Sequence, residues 1–239
     1  MLREQIGALA HRHRRFGYRR IAVVLNRQER VKVNVKRVHR LWKEEGLGLT
    51  RRRPKRRSYG PKGAVVNRAQ RPNHVWTYDF VEDRTARGGK LKLLCVVDEF
   101  TRQCHAIRVE KRMGSQHVIQ TLEWLFKLHG RPEHLRSDNG PEFIAHAVQH
   151  GLAAHSTGTI YIEPGSPWQN PYIESFNDKL RNECLNQEVF ANGREAREVI
   201  ETWRREYNEE RPKRALGGLT PSQYAQQLIQ KTATVTAGL

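Results

Sequence analysis

Cysteine is scarce in this chain of 239 residues. Cys95, Cys104 and Cys184 are an odd number at wide spacings with no CxxC pair. That pattern suggests neither a disulfide framework nor a thiolate zinc site, and a reducing cytoplasm is the expected setting. Long apolar runs are missing too. The longest clean one, Leu93 to Val97, is far short of the ~18 to 20 residues a spanning helix needs, and Met1 to Ala10 lacks the basic-then-apolar order of a secretory signal. Membrane insertion and export are therefore not expected. Aromatics are 8% and hydrophobics 37% of the chain, which suits one or two soluble domains.

Negative charge is deficient in one place only. Residues 1–72 carry 22 Lys and Arg against 4 Asp and Glu, whereas residues 73–239 carry 21 of each, so the whole net charge of +18 sits in the first third. A basic tail that adds solubility would account for a charge run by itself. A segment facing a polyanion, nucleic acid above all, would account for the confinement. The order within the segment favours the second account. Ile21, Val24 and Leu25 stand at helical spacing, and Asn34 to Glu45 repeats the pattern with Val35, Val38 and Trp42 as one stripe. Lys36, Arg40 and Lys43 fall roughly opposite that stripe, with Arg37 beside them. Two short helices, the second with a cationic outer face, make a helix-turn-helix reader of DNA, with Arg19 and Arg20 as further phosphate contacts. Arg51, Arg52, Arg53, Lys55, Arg56 and Arg57, among prolines and glycines, read as an extended linker that tracks a DNA backbone or spaces two domains. The expected divisions are a DNA-binding domain at 1–49, the linker at 50–72, a core with C-terminal helices at 73–230, and a tail at 231–239.

From residue 73 the pattern is that of strands. His74 to Val81 is rich in β-formers on both faces: Trp76, Tyr78 and Phe80 point one way, and Val75, Thr77, Asp79 and Val81 the other. Asp79 is thus a carboxylate inside a core strand, and it requires a cation, strong hydrogen bonds or a proton. Gly88-Gly89 turns into a strand at Leu91 to Asp98, and a further turn leads to His105 to Val109. Ser115 to Leu128 is predicted as a helix capped by Ser115 and closed by Gly130, Leu135 to Ser137 as a strand, Pro141 to Ala153 as a helix, and Thr159 to Ile162 as a fifth strand. Three antiparallel strands followed by alternating helices and strands is the order of a ribonuclease-H-like α/β fold: a mixed five-stranded sheet flanked by helices, here preceded by a small all-helical domain.

Two more acids stand at informative places. Asp138 closes the fourth strand in RSDNGPEF, at a sheet's carboxyl edge, although Asp-Asn-Gly would begin a turn equally well. Glu174 follows Asn170 and Pro171, a suitable N-cap and first helical position, with Asp178 and Arg181 above it on the same face. An acid there also complements a helix dipole. Together Asp79, Asp138 and Glu174 fit one chemistry. Three carboxylates in one pocket repel, and hard divalent cations, Mg²⁺ or Mn²⁺, resolve the conflict; two such ions ~3.5 to 4 Å apart serve in-line phosphoryl displacement. Asp98 is assigned to a turn and Glu142 to a helix start.

The motifs FGYRRI and VNVKRVHRLWKEEGL, WTYDF at Asp79, RSDNGPEF at Asp138, SPWQNPYIESFN at Glu174 and YNEERPKRALGGLTPSQY near the end span almost the whole chain. In them, and in the 35 residues between Asp138 and Glu174, the sequence resembles bacterial insertion-sequence transposases with a retroviral-integrase-type core, specifically the second-frame product of two-frame elements. The resemblance implies an Asp-Asp-Glu enzyme that nicks the element's ends and joins the freed 3′ hydroxyl to target DNA. It implies two Mg²⁺ bound by Asp79, Asp138 and Glu174, with Asn139 and Arg181 assisting. It also implies that Trp168, Gln169 and Asn170 meet the DNA end, a packing role for Trp168 being equally open. Implied partners are the terminal inverted repeats, target DNA, further copies of the chain and a first-frame protein fused by frameshifting; the implied location is the cytoplasm, at the nucleoid. No heptad run is visible, and residues 1–94 lack cysteine, so a His-Cys zinc module is absent and His11 and His13 are expected to be solvated or phosphate-facing. A nuclease without strand transfer and a non-catalytic DNA-binding remnant are the competing readings.

Overall fold

The computed structural model describes residues 1–28, 32–49, 68–137, 157–161 and 169–237. They fall into two compact units, Met1–Gly60 with Glu210–Thr220, and Pro61–Glu209 with Pro221–Leu239.

In the first unit three helices, α1 (Leu2–Arg12), α2 (Tyr18–Gln28) and α3 (Val35–Glu44), pack around Ile6, Ile21, Leu25, Val38 and Trp42. The two helices expected from apolar spacing are present, with α1 added ahead of them. Asn34 caps α3 by accepting from the Lys36 amide at 2.8 Å, so the chain enters the helix at a defined residue. One expectation fails: Val35 is 43% exposed, and the buried stripe is Val38, Leu41 and Trp42. Residue 35 is the first helical position, too close to the cap to lie over the core. Lys36, Arg37, Arg40 and Lys43 are all exposed, as the helical wheel requires. His13 is a second correction. It is buried, stacked on Phe16 with ring centroids 4.4 Å apart, and faces Glu210 rather than solvent. Arg12 pairs with the same Glu210 at 2.6 Å, and the buried Arg211 guanidinium lies over Phe16 at 5.8 Å. The segment Glu210–Thr220, assigned from sequence to the helices that end the core, thus groups with the first sixty residues.

The second unit is built on a five-stranded sheet with strand order β3-β2-β1-β4-β5. β1 (Val75–Arg84), β2 (Lys90–Asp98) and β3 (Cys104–Glu110) form the expected antiparallel meander, and β4 (His134–Ser137) and β5 (Gly158–Tyr161) add in parallel beside β1. Both faces are covered. Trp76, Tyr78, Leu94 and Val96 pack on Leu122 and Leu125 of α4 (Ser115–His129). Val81, Leu93 and Cys95 pack on Phe176 and Leu180 of α5 (Pro171–Leu180) and on Ile200 and Trp203 of α6 (Gly193–Glu209). α5 runs on through a π-helical turn, Arg181–Leu185, and α7 (Pro221–Ala237) follows α6. The N-cap of α4 is Gly114, not Ser115, which is the first helical residue; Gly130 closes the helix at φ 79°, as expected. The helix expected at Pro141 to Ala153 lies outside the described residues. No described helix is long and apolar enough to cross a membrane.

Candidate active site

The alternation of β1 determines which groups can meet α5. Trp76 and Tyr78 are committed to the α4 side, so Thr77 and Asp79 must face the other way. Thr77 is fully buried, and its hydroxyl donates to Oδ1 of Asn170 at 2.6 Å. Asp79 is half-buried, opposite Cys95 in the register of β2, and both of its oxygens accept hydrogen bonds: Oδ1 from the Phe80 amide at 2.8 Å, Oδ2 from Nδ2 of Asn177 at 2.7 Å. Farther along, the Arg181 guanidinium donates to the Glu82 carbonyl at 3.3 Å.

These three contacts define one line along α5. Asn170, Asn177 and Arg181 are spaced at two and three helical turns, and their partners Thr77, Asp79 and Glu82 advance in the same direction along β1. Glu174 is one turn beyond Asn170 and one turn before Asn177, on the same face. It is bracketed by two fastened contacts, in the first turn of the helix, and exposed. The helix therefore holds a carboxylate beside the segment of β1 that carries another. Asn177 was missed in the sequence, where Asp178 was placed on this face. The i, i+3 pair Glu174 and Asn177 was the available signal, but it does not distinguish a helix lying along a strand from one crossing it.

Local polar chemistry explains how the helix entry is fixed. Asn170 is the N-cap of α5 and Pro171 its first residue, as expected, yet the Asn170 side chain makes no capping bond. It turns to Thr77 instead and is 3% exposed. The amide oxygen of Asn170, a residue expected at the DNA end, is buried against a strand hydroxyl. The neighbouring Gln169 carbonyl accepts from Arg136 Nη1 at 3.4 Å, and Arg136 in turn pairs through Nε with Glu99 Oε1 at 2.7 Å, both side chains fully buried. Asp98 holds a turn, as assigned: Oδ1 accepts from the Phe100 and Thr101 amides and Oδ2 from the Asn73 amide. Burial raises the pKa values of Asp98 and Glu99, against the hydrogen bonds to Asp98 and the Arg136 charge beside Glu99. Burial also pushes the Cys95 thiol well up, with Cys104 and Asp79 adding to the effect, so the sulfur opposite Asp79 stays protonated. The donors near Asp79 are thus hard oxygens, not thiolate.

Asp138, Asn139 and Trp168 lie outside the described residues, as do Arg51, Arg52, Arg53, Lys55, Arg56 and Arg57. Arg19 is exposed with its guanidinium 5.6 Å from the Tyr18 ring, and the partly buried Arg20 lies over Phe16 at 5.5 Å.

Residues 69–167 match the integrase core domain family, residues 155–221 a second integrase core domain family, and residues 1–56 an HTH-like domain family. The chain is 40% identical over 230 residues to the 31.7 kDa protein of insertion element IS407 of Burkholderia multivorans, covering 94% of this chain and 80% of that one. It is 30% identical over 212 residues to the transposase for insertion sequence element IS904 of Lactococcus lactis, covering 84% and 83%. The chain belongs to the insertion-element transposases with an integrase core. Transposases of this family cleave DNA and transfer strands. The fold agrees: the catalytic core domain of HTLV-2 integrase, solved in complex with magnesium, superposes with a TM-score of 0.54 at 21% identity, over 66% of the transposase and 99% of that chain.

Proposed function

We propose that this transposase cuts DNA at the terminal inverted repeats of its element and joins the freed 3′ hydroxyl to target DNA, using Asp79, Asp138 and Glu174 around two Mg²⁺, with Mn²⁺ able to replace them. The observation that carries the reading is the bracket around Glu174: the Thr77–Asn170 and Asp79–Asn177 hydrogen bonds secure α5 along β1 with the glutamate between them. The parallel register adds support. Thr77 pairs with Arg136, and two residues on in sequence from each stand Asp79 and Asp138.

The donor set fits hard cations. Three carboxylates supply anionic oxygens, and the one nearby sulfur is a protonated thiol. When bound, such a pair of ions supplies an activated oxygen nucleophile and neutralises the leaving oxygen. The chain's own residues orient the carboxylates. The Asn177 amide fixes the plane of the Asp79 carboxyl while each oxygen keeps further lone pairs, and the first turn of α5 carries Glu174. Arg181 and Asn139 assist at the phosphate, and Gln169 and Trp168 stand at the DNA end.

Binding to the duplex falls to the exposed face of α3, to Arg19 and Arg20, and to the basic run from Arg51 to Arg57. Each phosphate neutralised contributes about −0.9 to the slope of log K against log salt. Replacing Lys36, Arg40 and Lys43 together by Ala is expected to reduce the magnitude of that slope by about 2 to 3 and to weaken binding to all sequences alike, measured by fluorescence anisotropy across a salt series. An unchanged slope removes this face from the DNA. We further propose assembly of several copies on DNA, a frameshift fusion to a first-frame protein, and residence at the nucleoid.

Strand transfer is the deciding assay. A duplex ending in the terminal repeat with a free 3′ hydroxyl, incubated with supercoiled plasmid and Mg²⁺, is expected to become covalently joined to the plasmid. Nicking without joining would leave a nuclease, and salt-sensitive binding without Mg²⁺-dependent cleavage would leave a DNA-binding remnant.

A further inference from the structure

At the N-terminal end of β1, three potential metal ligands meet. His74 immediately precedes the strand, Glu133 immediately precedes β4 and His134 opens it; one donor atom from each lies within 4.8 Å of the other two. The backbone that presents them is tightly laced. The His134 amide donates to the His74 carbonyl at 3.0 Å, the Glu133 amide to the Asn73 carbonyl at 3.0 Å, and the Gly158 amide to the Glu133 carbonyl at 2.8 Å. The side chains are arranged toward one another as well. Glu133 Oε1 is held by Arg71, while Oε2 lies 3.8 Å from Nε2 of His74. The two imidazoles are 5.7 Å apart at 61°. A Cβ at position 158 would stand 2.6 Å from Nδ1 of His134, so glycine there makes room for the ring. The His74 side chain is 15% exposed and that of Glu133 46%, which leaves one side open to water.

We propose that His74, Glu133 and His134 form a binding site for a single zinc-class divalent cation, separate from the catalytic acids. Two imidazoles and one carboxylate suit Zn²⁺ or Co²⁺, whereas Mg²⁺ prefers oxygen donors alone. Three protein ligands and one water complete four-coordination on the open side. Bonds of ~2.0 to 2.1 Å at tetrahedral angles place ligand atoms about 3.3 Å apart, so the present spacing closes by side-chain rotation. Without the ion, the Gln70 amide donates to Nδ1 of His74 at 3.1 Å, which puts the ring proton on Nε2. Binding through Nε2 moves that proton to Nδ1 and releases Gln70. Arg71 acts as an outer partner that orients the carboxylate. The site is five residues, about 16 Å, along β1 from Asp79, so an ion there clamps β1 to β4 without touching the acids.

The test uses the 239-residue chain carrying Asp79→Asn and Glu174→Gln, so that the acids do not compete for the ion. Co²⁺ is titrated by visible absorption and then displaced with Zn²⁺, with Zn²⁺ affinity taken from calorimetry. One equivalent of Zn²⁺, a tetrahedral Co²⁺ spectrum, no competition by millimolar Mg²⁺ and a raised melting temperature are expected. His74→Gln or His134→Gln should weaken Zn²⁺ binding at least about tenfold. Glu133→Gln, at the exposed rim where folding is not at stake, should do the same while keeping the Arg71 contact. No Zn²⁺ binding in the parent, or binding unchanged by Glu133→Gln or by the two histidine substitutions combined, would overturn the site.

Discussion

Glu174→Gln is expected to lower Mg²⁺-dependent nicking of element-end DNA by about 10³-fold or more and to leave stability within about 1 kcal/mol of the parent. The loss follows from removing one anionic oxygen donor from a site whose ions stabilise transition-state charge by several kcal/mol, at about 1.4 kcal/mol per tenfold in rate. Tolerance of folding follows from position. Glu174 is exposed, Gln has nearly the same volume, and the lost dipole interaction at the helix N-terminus costs ~0.3 to 1 kcal/mol. Asp79→Asn should also abolish nicking, but it is the poorer probe. Both Asp79 oxygens accept, one from the backbone amide of Phe80 and one from the side chain of Asn177, and an asparagine offers one oxygen and one amide nitrogen to the same pair. Unless Asn177 turns its own amide to present its oxygen, one donor is left facing another, which costs about 1 to 3 kcal/mol. Nicking assays paired with thermal melts separate the two variants. Retained cleavage in Glu174→Gln would remove it from the site.

The sheet was legible because its signals are periodic and local. Val75 to Val81 is a run of β-formers buried or half-buried on both faces, Gly88-Gly89 marks the first turn, and a strand covered on both sides has to be apolar on both. Asp79 stands out in the sequence because a charge within such a strand has few structural explanations, whereas Asp138 and Glu174, each with a local explanation of its own, draw attention only together with it. What escaped depended on contacts distant in sequence. Nothing around Asn170 announces that its side chain will choose Thr77, 93 residues away, over the helix it caps. His13 looked like one more polar residue in a basic run, and its burial depends on Phe16 beside it and on Glu210 near the other end of the chain. Glu99, which follows Asp98 in sequence, is buried against Arg136, 37 residues away.

That ion pair gives the second large expectation. Arg136→Met should destabilise the protein by about 3 to 5 kcal/mol, because it leaves the buried Glu99 carboxylate without its nearest cation. For a chain of this size that is a fall of roughly 10 °C in melting temperature. Burial already raises the Glu99 pKa and Arg136 opposes it, so removing the arginine raises it further. A carboxyl with a raised folded pKa contributes stability below its unfolded pKa and loses it as pH rises through the folded value. The deficit of Arg136→Met should therefore be larger at neutral pH than at pH 4, shrinking as pH falls through the raised folded pKa toward the usual carboxylate range. Exchanging both partners, Arg136→Met with Glu99→Leu, should recover most of the loss, since a buried pair is worth little more than a well-packed apolar one. Activity should fall more than stability alone explains. Arg136 stands two residues before Asp138 and holds the Gln169 carbonyl at the entry to α5, so it links the strand leading to one acid with the helix carrying another. Melts of the single and double variants at pH 4 and pH 7, with nicking measured well below each midpoint, test both parts. A single variant within 1 kcal/mol of the parent at neutral pH would show that Glu99 needs no cation, and would break that link.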